Sequence, residues 1–171
     1  MTIRMMTRYD NKLAISHVYE ESWKYAYKDI IPQSFLDTIP TGKWASNLDK
    51  KGRKTLIMLE NDEIIGTSSF CESRFPDFQR MGEIISIYLL PQYIGKGYGT
   101  QLLHAAIEEL KKSGYNEIFL WVLEENYPAI KFYEKNGFIK TDKFIDDNIG
   151  GKPLREIQYI LNSDRRAYEN N

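Results

Sequence analysis

The segment from Glu83 to Ser113 constrains the fold more than any other part of the chain. It begins with an apolar run that stops at Pro91, and three glycines follow at alternate positions. Apolar residues then recur at the spacing of one helix face until Gly114. This order predicts a strand, a glycine-rich turn and a long helix. The three glycines are Gly95, Gly97 and Gly99.

A glycine turn in front of a helix has the properties of an anion-binding site. The first N–H groups of a helix have no intrahelical partner, and they lie at the positive end of the helix dipole. Glycine can adopt dihedral angles that other residues avoid, and it lets a ligand approach the backbone closely. Lys96 adds a positive charge to this turn. A phosphate group is therefore the expected ligand, although a turn that serves only tight packing would have the same glycines.

Two common phosphate-binding patterns do not fit this turn. The dinucleotide fingerprint G-x-G-x-x-G fails because Thr100 stands where its third glycine is required. The acidic residue that should end the next strand is also missing, since Glu117 lies at the start of a predicted strand. The nucleoside-triphosphate loop G-x-x-x-x-G-K-[ST] fails because Lys96 is followed by Gly97.

A second motif, NYPAIKFYEKNGF, runs from Asn126 to Phe138. With it the chain resembles the GNAT superfamily of N-acetyltransferases. That family has a strand, the pattern [QR]-x-x-G-x-[GA] and a helix, followed by N-x-x-A-x-x-x-Y-E-x-x-G-F. Both motifs occur here in the family's order and spacing, over about a third of the chain. One departure is Ile94, which occupies the Gln/Arg position of the first motif.

The resemblance implies an acetyltransferase that uses acetyl-CoA and no metal. The acetyl group would pass directly to a primary amine, through a tetrahedral intermediate. The two strands that flank the long helix would splay apart to admit the pantetheine arm. By resemblance, the cofactor would contact Ile87, Tyr88, Leu89, Ile94, Gly95, Lys96, Gly97, Tyr98, Gly99, Thr100, Asn126, Ala129 and Tyr133.

Catalysis of amine acetylation needs groups that fill three chemical roles. An alkyl amine with a pKa of about 10.4 is almost wholly protonated at pH 7, so a base must remove a proton. Donors must also stabilise the oxyanion, and a further group must stabilise the thiolate. The resemblance assigns the last role to Tyr133 and a base role to Glu83, and we expect the Leu89 amide to be the oxyanion donor. Ordered water and the neighbouring Glu124 and Glu125 are alternative bases.

Two functions remain open at this point. The first is the N-acetyltransferase, and the second is a non-catalytic sensor that binds CoA or acyl-CoA. The intact Tyr133 favours the enzyme, whereas Ile94 and the presence of Trp121, where some family members have a glutamate, favour the sensor. His17, His104 and Cys71 have no pattern of catalytic or metal-ligating partners, and we expect structural roles for them.

The acceptor is predicted only as a small amine or a protein amino group. Three aromatic residues of the first helix and the loop after it belong either to the core or to the acceptor wall: Trp23, Tyr25 and Tyr27. Four carboxylates near the expected mouth weakly favour a cationic amine: Glu72, Asp77, Glu124 and Asp146. Lys131 and Lys135 are either solvated or close to the CoA phosphates.

Composition excludes several classes of partner. The 171 residues have a net charge of −1, which gives no field that attracts nucleic acid or an anionic membrane. A single cysteine excludes an intrachain disulfide. No signal peptide or membrane-spanning apolar stretch is evident, so we expect a cytoplasmic protein. We expect one domain over residues 1–162, followed by a polar tail at 163–171.

The remaining pattern predicts an α+β fold. It has a mixed, mostly antiparallel sheet of six or seven strands with helices on both faces, and one central parallel pair. Asp10 is the expected N-cap of the first helix, and short helices are expected near 32–36 and 43–48. Hairpins are expected at 55–71 and at 138–161, and the second is a candidate surface for a homodimer.

Overall fold

The computed structural model describes residues 1–162, so the predicted tail at 163–171 lies outside the described residues. The described part forms one seven-stranded sheet in the order β1-β2-β3-β4-β5-β7-β6. The strands are β1 (Thr2–Met5), β2 (Lys54–Glu60), β3 (Glu63–Glu72), β4 (Gly82–Leu89), β5 (Glu117–Leu123), β6 (Ile139–Ile149) and β7 (Lys152–Asn162). The α-helices are α1 (Lys12–Ala26), α2 (Gln33–Leu36), α3 (Tyr98–Lys112) and α4 (Tyr127–Lys135).

The predicted α+β architecture is confirmed. Only β4 and β5 pair in parallel, because α3 crosses over between them, and the other neighbouring strands are antiparallel. The largest core cluster packs α3 against one face of the sheet, through side chains such as Leu102, Leu103 and Phe70. The opposite face is covered by α1 and α2, where Ile15 and Leu36 are fully buried.

The N-cap of the first helix lies one residue later than expected. Asn11 is the N-cap, and its side chain accepts hydrogen bonds from the amides of Leu13 and Ala14. Asp10 instead pairs with Arg4 at 2.7 Å and accepts from Thr7. The prediction of Asp10 as the cap was therefore wrong, because a cation on β1 competes for its carboxylate. The helix expected at 43–48 is a single 3-10 turn, Ala45–Asn47.

The parallel pair is open over most of its length. β4 and β5 pair only at Gly82 with Ile118 and at Glu83 with Phe119. Beyond Glu83, β4 continues to Leu89 without a partner on that side, whereas β5 stays paired with β7 along its whole length. We call the space between residues 84–89 of β4 and 120–123 of β5 the gap.

The last hairpin is longer than predicted, since β6 and β7 each have 11 residues. Gly150 and Gly151 turn the chain with φ angles of +62° and +87°, which suits glycine. β6 lies at the edge of the sheet and is mostly exposed. Among residues 1–162, no helix is long and apolar enough to cross a membrane.

Candidate active site

A cleft of about 920 Å³ passes through the gap and joins the glycine turn to the aromatic end of α1. Its walls come from β4, β5, β7, α1, α4 and the start of α3, so it is lined by distant parts of the chain. Most of the predicted cofactor residues line this cleft: Ile87, Tyr88, Leu89, Ile94, Gly95, Gly97, Gly99, Thr100, Asn126, Ala129 and Tyr133.

The glycine turn presents free backbone amides at one end of the cleft. Gly95 and Gly97 both have a φ of +82°, and a Cβ at either position would meet nothing within 4 Å. Glycine is therefore needed for the backbone conformation rather than for space inside the protein. Gly97 is the N-cap of α3, and no side chain caps this helix. The first-turn N–H groups are consequently available to an anion.

Two predicted cofactor residues lie outside the cleft wall. The ammonium group of Lys96 lies 5.1 Å from the ring centre of Tyr93, in a cation–π contact. The hydroxyl of Tyr98 donates to Glu60 at 3.0 Å. Ile94 lines the cleft and is 46% exposed, so its apolar side chain stands at the surface where the related motif has Gln or Arg.

The Leu89 amide faces the gap. The amide of Leu90 donates to Ile65 of β3 at 2.8 Å. Successive amides of a strand point to opposite edges, so the Leu89 amide points away from β3. The Leu89 carbonyl, on the same edge, accepts from Ser22 of α1 at 2.7 Å. An oxyanion in the gap could therefore receive a backbone hydrogen bond here.

Tyr133 lies in the cleft wall on α4. This helix begins at Asn126, whose buried side chain caps it by accepting from the Ala129 amide at 3.3 Å. Burial raises the pKa of Tyr133 well above its usual value, and the nearby Tyr88 raises it further. No hydrogen bond to the Tyr133 hydroxyl forms within residues 1–162, so the group is a protonated donor open to a ligand.

Aromatic side chains line the other end of the cleft. The indole N–H of Trp23 donates to the hydroxyl of Tyr88 at 3.1 Å, and the hydroxyls of Tyr27 and Tyr88 are 3.4 Å apart. Burial raises the pKa of Tyr27 to about 12. Tyr25 also lines the cleft, so all three aromatic residues singled out in the sequence belong to its wall. The indole N–H of Trp121 is buried without an acceptor among residues 1–162.

The position and contacts of Glu83 do not suit a general base in the cleft. Its side chain is 1% exposed and does not line the cleft. Both carboxylate oxygens are bound by Arg74, through the guanidinium at 2.6 to 3.2 Å and the backbone amide at 3.1 Å. Because Arg74 occupies both oxygens of a carboxylate that is buried away from the cleft, this geometry argues against the predicted base role.

Among the described residues that line the cleft, Glu156 provides the only carboxylate. The four acidic residues expected near the mouth, Glu72, Asp77, Glu124 and Asp146, lie outside the cleft lining. Two of them line a separate depression of about 410 Å³, where Asp146 pairs with Arg155. Sequence reasoning missed Glu156 because it occupies a polar position of a predicted hairpin strand, with no motif to mark it.

Of the remaining candidates, all but Lys135 lie outside the cleft. His17 and His104 are exposed on helix surfaces, and Cys71 is buried at the end of β3. Lys135 lines the cleft on α4, but Lys131 does not. Within residues 1–162, no group of three or more His, Cys, Asp or Glu side chains is arranged to hold a metal ion.

Comparison with known proteins agrees with this architecture. The chain is 29% identical over 147 residues to the uncharacterized N-acetyltransferase YuaI of Bacillus subtilis, a match that covers 84% of this chain and 83% of the relative. It is 28% identical over 148 residues to the spermidine N(1)-acetyltransferase of Thermoplasma acidophilum, covering 83% and 88% of the two chains.

A solved structure shares the fold at similar coverage. It is yncA of Salmonella typhimurium, determined with its cofactor acetyl-CoA, and it superposes with a TM-score of 0.72 at 25% identity over 96% of this chain and 94% of that one. The model of the acetyltransferase (GNAT) family matches residues 14–138, which include the gap, the glycine turn and Tyr133. The chain therefore belongs to the GNAT family of acetyltransferases.

Proposed function

We propose that the protein transfers the acetyl group of acetyl-CoA to a primary amine, by direct attack and without a covalent enzyme intermediate. The observation that carries this proposal is the cleft itself, which runs through the opened parallel pair from the uncapped helix amides to an aromatic wall. A long thioester fits the first half and an acceptor fits the second. The solved relative yncA, which holds acetyl-CoA, supports the choice of cofactor.

In this proposal the diphosphate of CoA binds the first-turn amides of α3 and the backbone of Gly95 and Gly97. Backbone N–H groups and the helix dipole both favour an anion there. The pantetheine arm lies along β4 within the gap, where the edge of β4 that faces β5 has no strand partner beyond Glu83 among the described residues. Asn126 shapes this part of the cleft by holding the start of α4.

The thioester carbonyl would lie next to the Leu89 amide. Attack of the amine on the carbonyl carbon forms a tetrahedral oxyanion, which the amide stabilises by a hydrogen bond. Collapse then breaks the C–S bond, and the electron pair leaves with sulfur. The hydroxyl of Tyr133 would donate a hydrogen bond to the departing thiolate.

The raised pKa of Tyr133 favours hydrogen bonding over full proton transfer to the thiolate. An ordinary phenol has a pKa of about 10 and a thiol about 8.5, so transfer is already uphill by about 2 kcal/mol. Burial raises the pKa of Tyr133 and increases this difference. The proton that completes the thiol would therefore come from the nitrogen of the intermediate or from water.

Two measurements test the proposed function. Acetyl-CoA should raise the melting temperature by several degrees, since a ligand at 100 times its Kd adds about 2.7 kcal/mol, and NADH and ATP should not. Release of free thiol from acetyl-CoA should then depend on an amine from a panel of alkylamines, amino acids, polyamines and peptides. Binding without amine-dependent release from any member would instead favour a non-catalytic acyl-CoA sensor.

A further inference from the structure

The acceptor half of the cleft contains a carboxylate that the mechanism above does not use. Glu156 is half-buried on β7, directly opposite Leu123 of β5 and Ile145 of β6. Residues directly opposite in a ladder share one face of the sheet, so its side chain lies on the same face as that of Leu123, which packs with α2. The aromatic side chains of α1 pack on this same face of the sheet.

The surroundings of Glu156 leave the charge of its carboxylate available to a ligand. Within residues 1–162, its side chain forms no hydrogen bond or ion pair, whereas the nearby Arg74 is bound to Glu83. The charged groups that face it are Arg74 from the loop before β4, Glu83 from β4 and Asp147 from β6. Burial is the largest cause that raises the pKa of Glu156, Asp147 and Glu83 raise it further, and Arg74 acts in the opposite direction.

Glu156 also lies close to the reacting end of the cleft. Glu156 and Tyr133 each raise the pKa of the Tyr27 hydroxyl electrostatically, so the phenol of Tyr27 is near both groups. The hydroxyls of Tyr27 and Tyr88 are 3.4 Å apart, and Tyr88 belongs to the strand that carries the Leu89 amide. One carboxylate without a bonded partner among residues 1–162 therefore lies in the wall of the same cleft as the aromatic rings, Leu89 and Tyr133.

Such an arrangement recognises an alkylammonium ion. Aromatic faces attract cations, and a desolvated carboxylate supplies the opposite charge. Of the described residues that line the cleft, Arg53 and Lys135 are the cations, and neither side chain forms a hydrogen bond or ion pair with Glu156 that would neutralise its charge. An anionic or neutral acceptor would leave the Glu156 charge without compensation.

We propose that Glu156 binds the ammonium group of the acceptor and takes its proton, so that the physiological acceptor is a cationic alkylamine. The inference rests on the proposed acetyl transfer. The ammonium gives one proton to the Glu156 carboxylate, and the neutral amine then forms the C–N bond. When the C–S bond breaks, the second surplus N–H proton passes to the thiolate or to water, and Glu156 releases its own proton to solvent.

The first test compares two amines with the same carbon skeleton at pH 7. Ethylamine is protonated at this pH, whereas 2,2,2-trifluoroethylamine is neutral. Glu156→Gln should lower kcat/KM for ethylamine by at least about 30-fold, because an ammonium would lose its charged partner, and should change the value for the neutral amine far less. Glu117→Gln, an exposed glutamate on β5 outside the cleft, is the matched control. Wild-type kcat/KM for ethylamine in Glu156→Gln would overturn the inference, as would a wild type that acetylates only the neutral amine.

A binding measurement covers the case in which Glu156→Gln does not fold. Calorimetry on the wild-type protein saturated with CoA should detect choline, which keeps a positive charge, but not its neutral isostere 3,3-dimethylbutan-1-ol. Equal binding of the two, or binding of the alcohol alone, would overturn the inference. Failure of the proposed function is distinguishable, because no amine would then release thiol from acetyl-CoA with any form of the protein.

Discussion

Arg74 and Glu83 form a partly buried ion pair in which both oxygens of the carboxylate are bound. The guanidinium lies 2.6 Å from Oε1, and the Arg74 backbone amide donates to Oε2 at 3.1 Å. Glu83 is 1% exposed, whereas the arginine side chain is half-exposed. The pair fastens the loop before β4 at the last point where β4 and β5 are hydrogen bonded, which is where the gap begins.

Glu83→Gln should therefore act on stability rather than on proton transfer. We expect the free energy of unfolding to fall by about 1–3 kcal/mol, because an amide replaces a buried, charge-paired carboxylate. The pH dependence of kcat/KM should keep its shape. Thermal unfolding and pH–rate profiles measure both quantities, with Arg74→Gln and the double variant as a cycle. Loss of the acidic limb of the profile in Glu83→Gln would restore the original prediction that Glu83 is the base.

Tyr133→Phe should lower kcat by about 100-fold and leave the Kd for CoA nearly unchanged, because only the donor to the thiolate is removed. Burial raises the pKa of Tyr133 far above neutrality, so the wild-type hydroxyl stays protonated. The ratio of wild-type to variant kcat should then be constant from about pH 6 to 9. Tyr127→Phe, an exposed tyrosine at the start of the same helix, is the control. Wild-type kcat in Tyr133→Phe would contradict the assigned role.

Gly97→Ala should weaken CoA binding by about tenfold. A left-handed conformation costs a residue with a Cβ roughly 1–2 kcal/mol, and relaxation of the turn would move the first amides of α3. Gly52→Ala is a close control, because Gly52 has a φ of +84° and its Cβ would also meet nothing within 4 Å. Both variants should lose similar stability in thermal unfolding. Equal CoA affinity of the two in calorimetry would show that Gly97 does not position the phosphate site.

Asp10→Asn should destabilise the protein at neutral pH and have no effect in strong acid. Arg4 holds the pKa of the Asp10 carboxyl well below its usual range, and hydrogen bonds from Thr7 lower it further. A depressed pKa stabilises the folded state above the unfolded value of about 3.9, and this contribution is lost as the pH falls through the folded pKa. Melting curves at a series of pH values measure the difference.

The control for this titration is Asp142→Asn. The Asp142 side chain is 84% exposed and pairs with its neighbour Lys143 at 3.3 Å. Its replacement should shift the melting temperature little at any pH, because exposed ion pairs contribute little. If the two variants had the same pH dependence, the Arg4–Asp10 pair would not contribute to stability.

Local patterns predicted the elements of this fold and part of its site. Periodicity predicted β4, α3, β5 and α4, and the short parallel strand was recognisable because both its faces are apolar. The glycine turn and the motif from Asn126 to Phe138 identified predicted cofactor residues, most of which line one cleft. These signals are local, since each depends on the dihedral angles or the hydrogen bonds of a few neighbouring residues.

Two predictions failed or were incomplete because they depended on contacts between distant residues. Asp10 looks like a helix cap until Arg4 of β1 binds it, and Asn11 then caps the helix. Glu83 has the expected position, but Arg74 occupies both of its oxygens. In each case the residue type was known from the sequence, and the partner that determines its electrostatics was not.

The sequence by itself determined the strand–turn–helix unit, the family motifs and the mixed sheet, since these follow from spacing along the chain. Only the tertiary structure decided which carboxylate lies in the cleft. Glu156 enters the site because β7 pairs with β5 over its full length, which brings a residue from the last strand beside α1 and the gap. The availability of its charge depends on burial and on nearby groups from β4 and β6, which spacing along the chain does not specify.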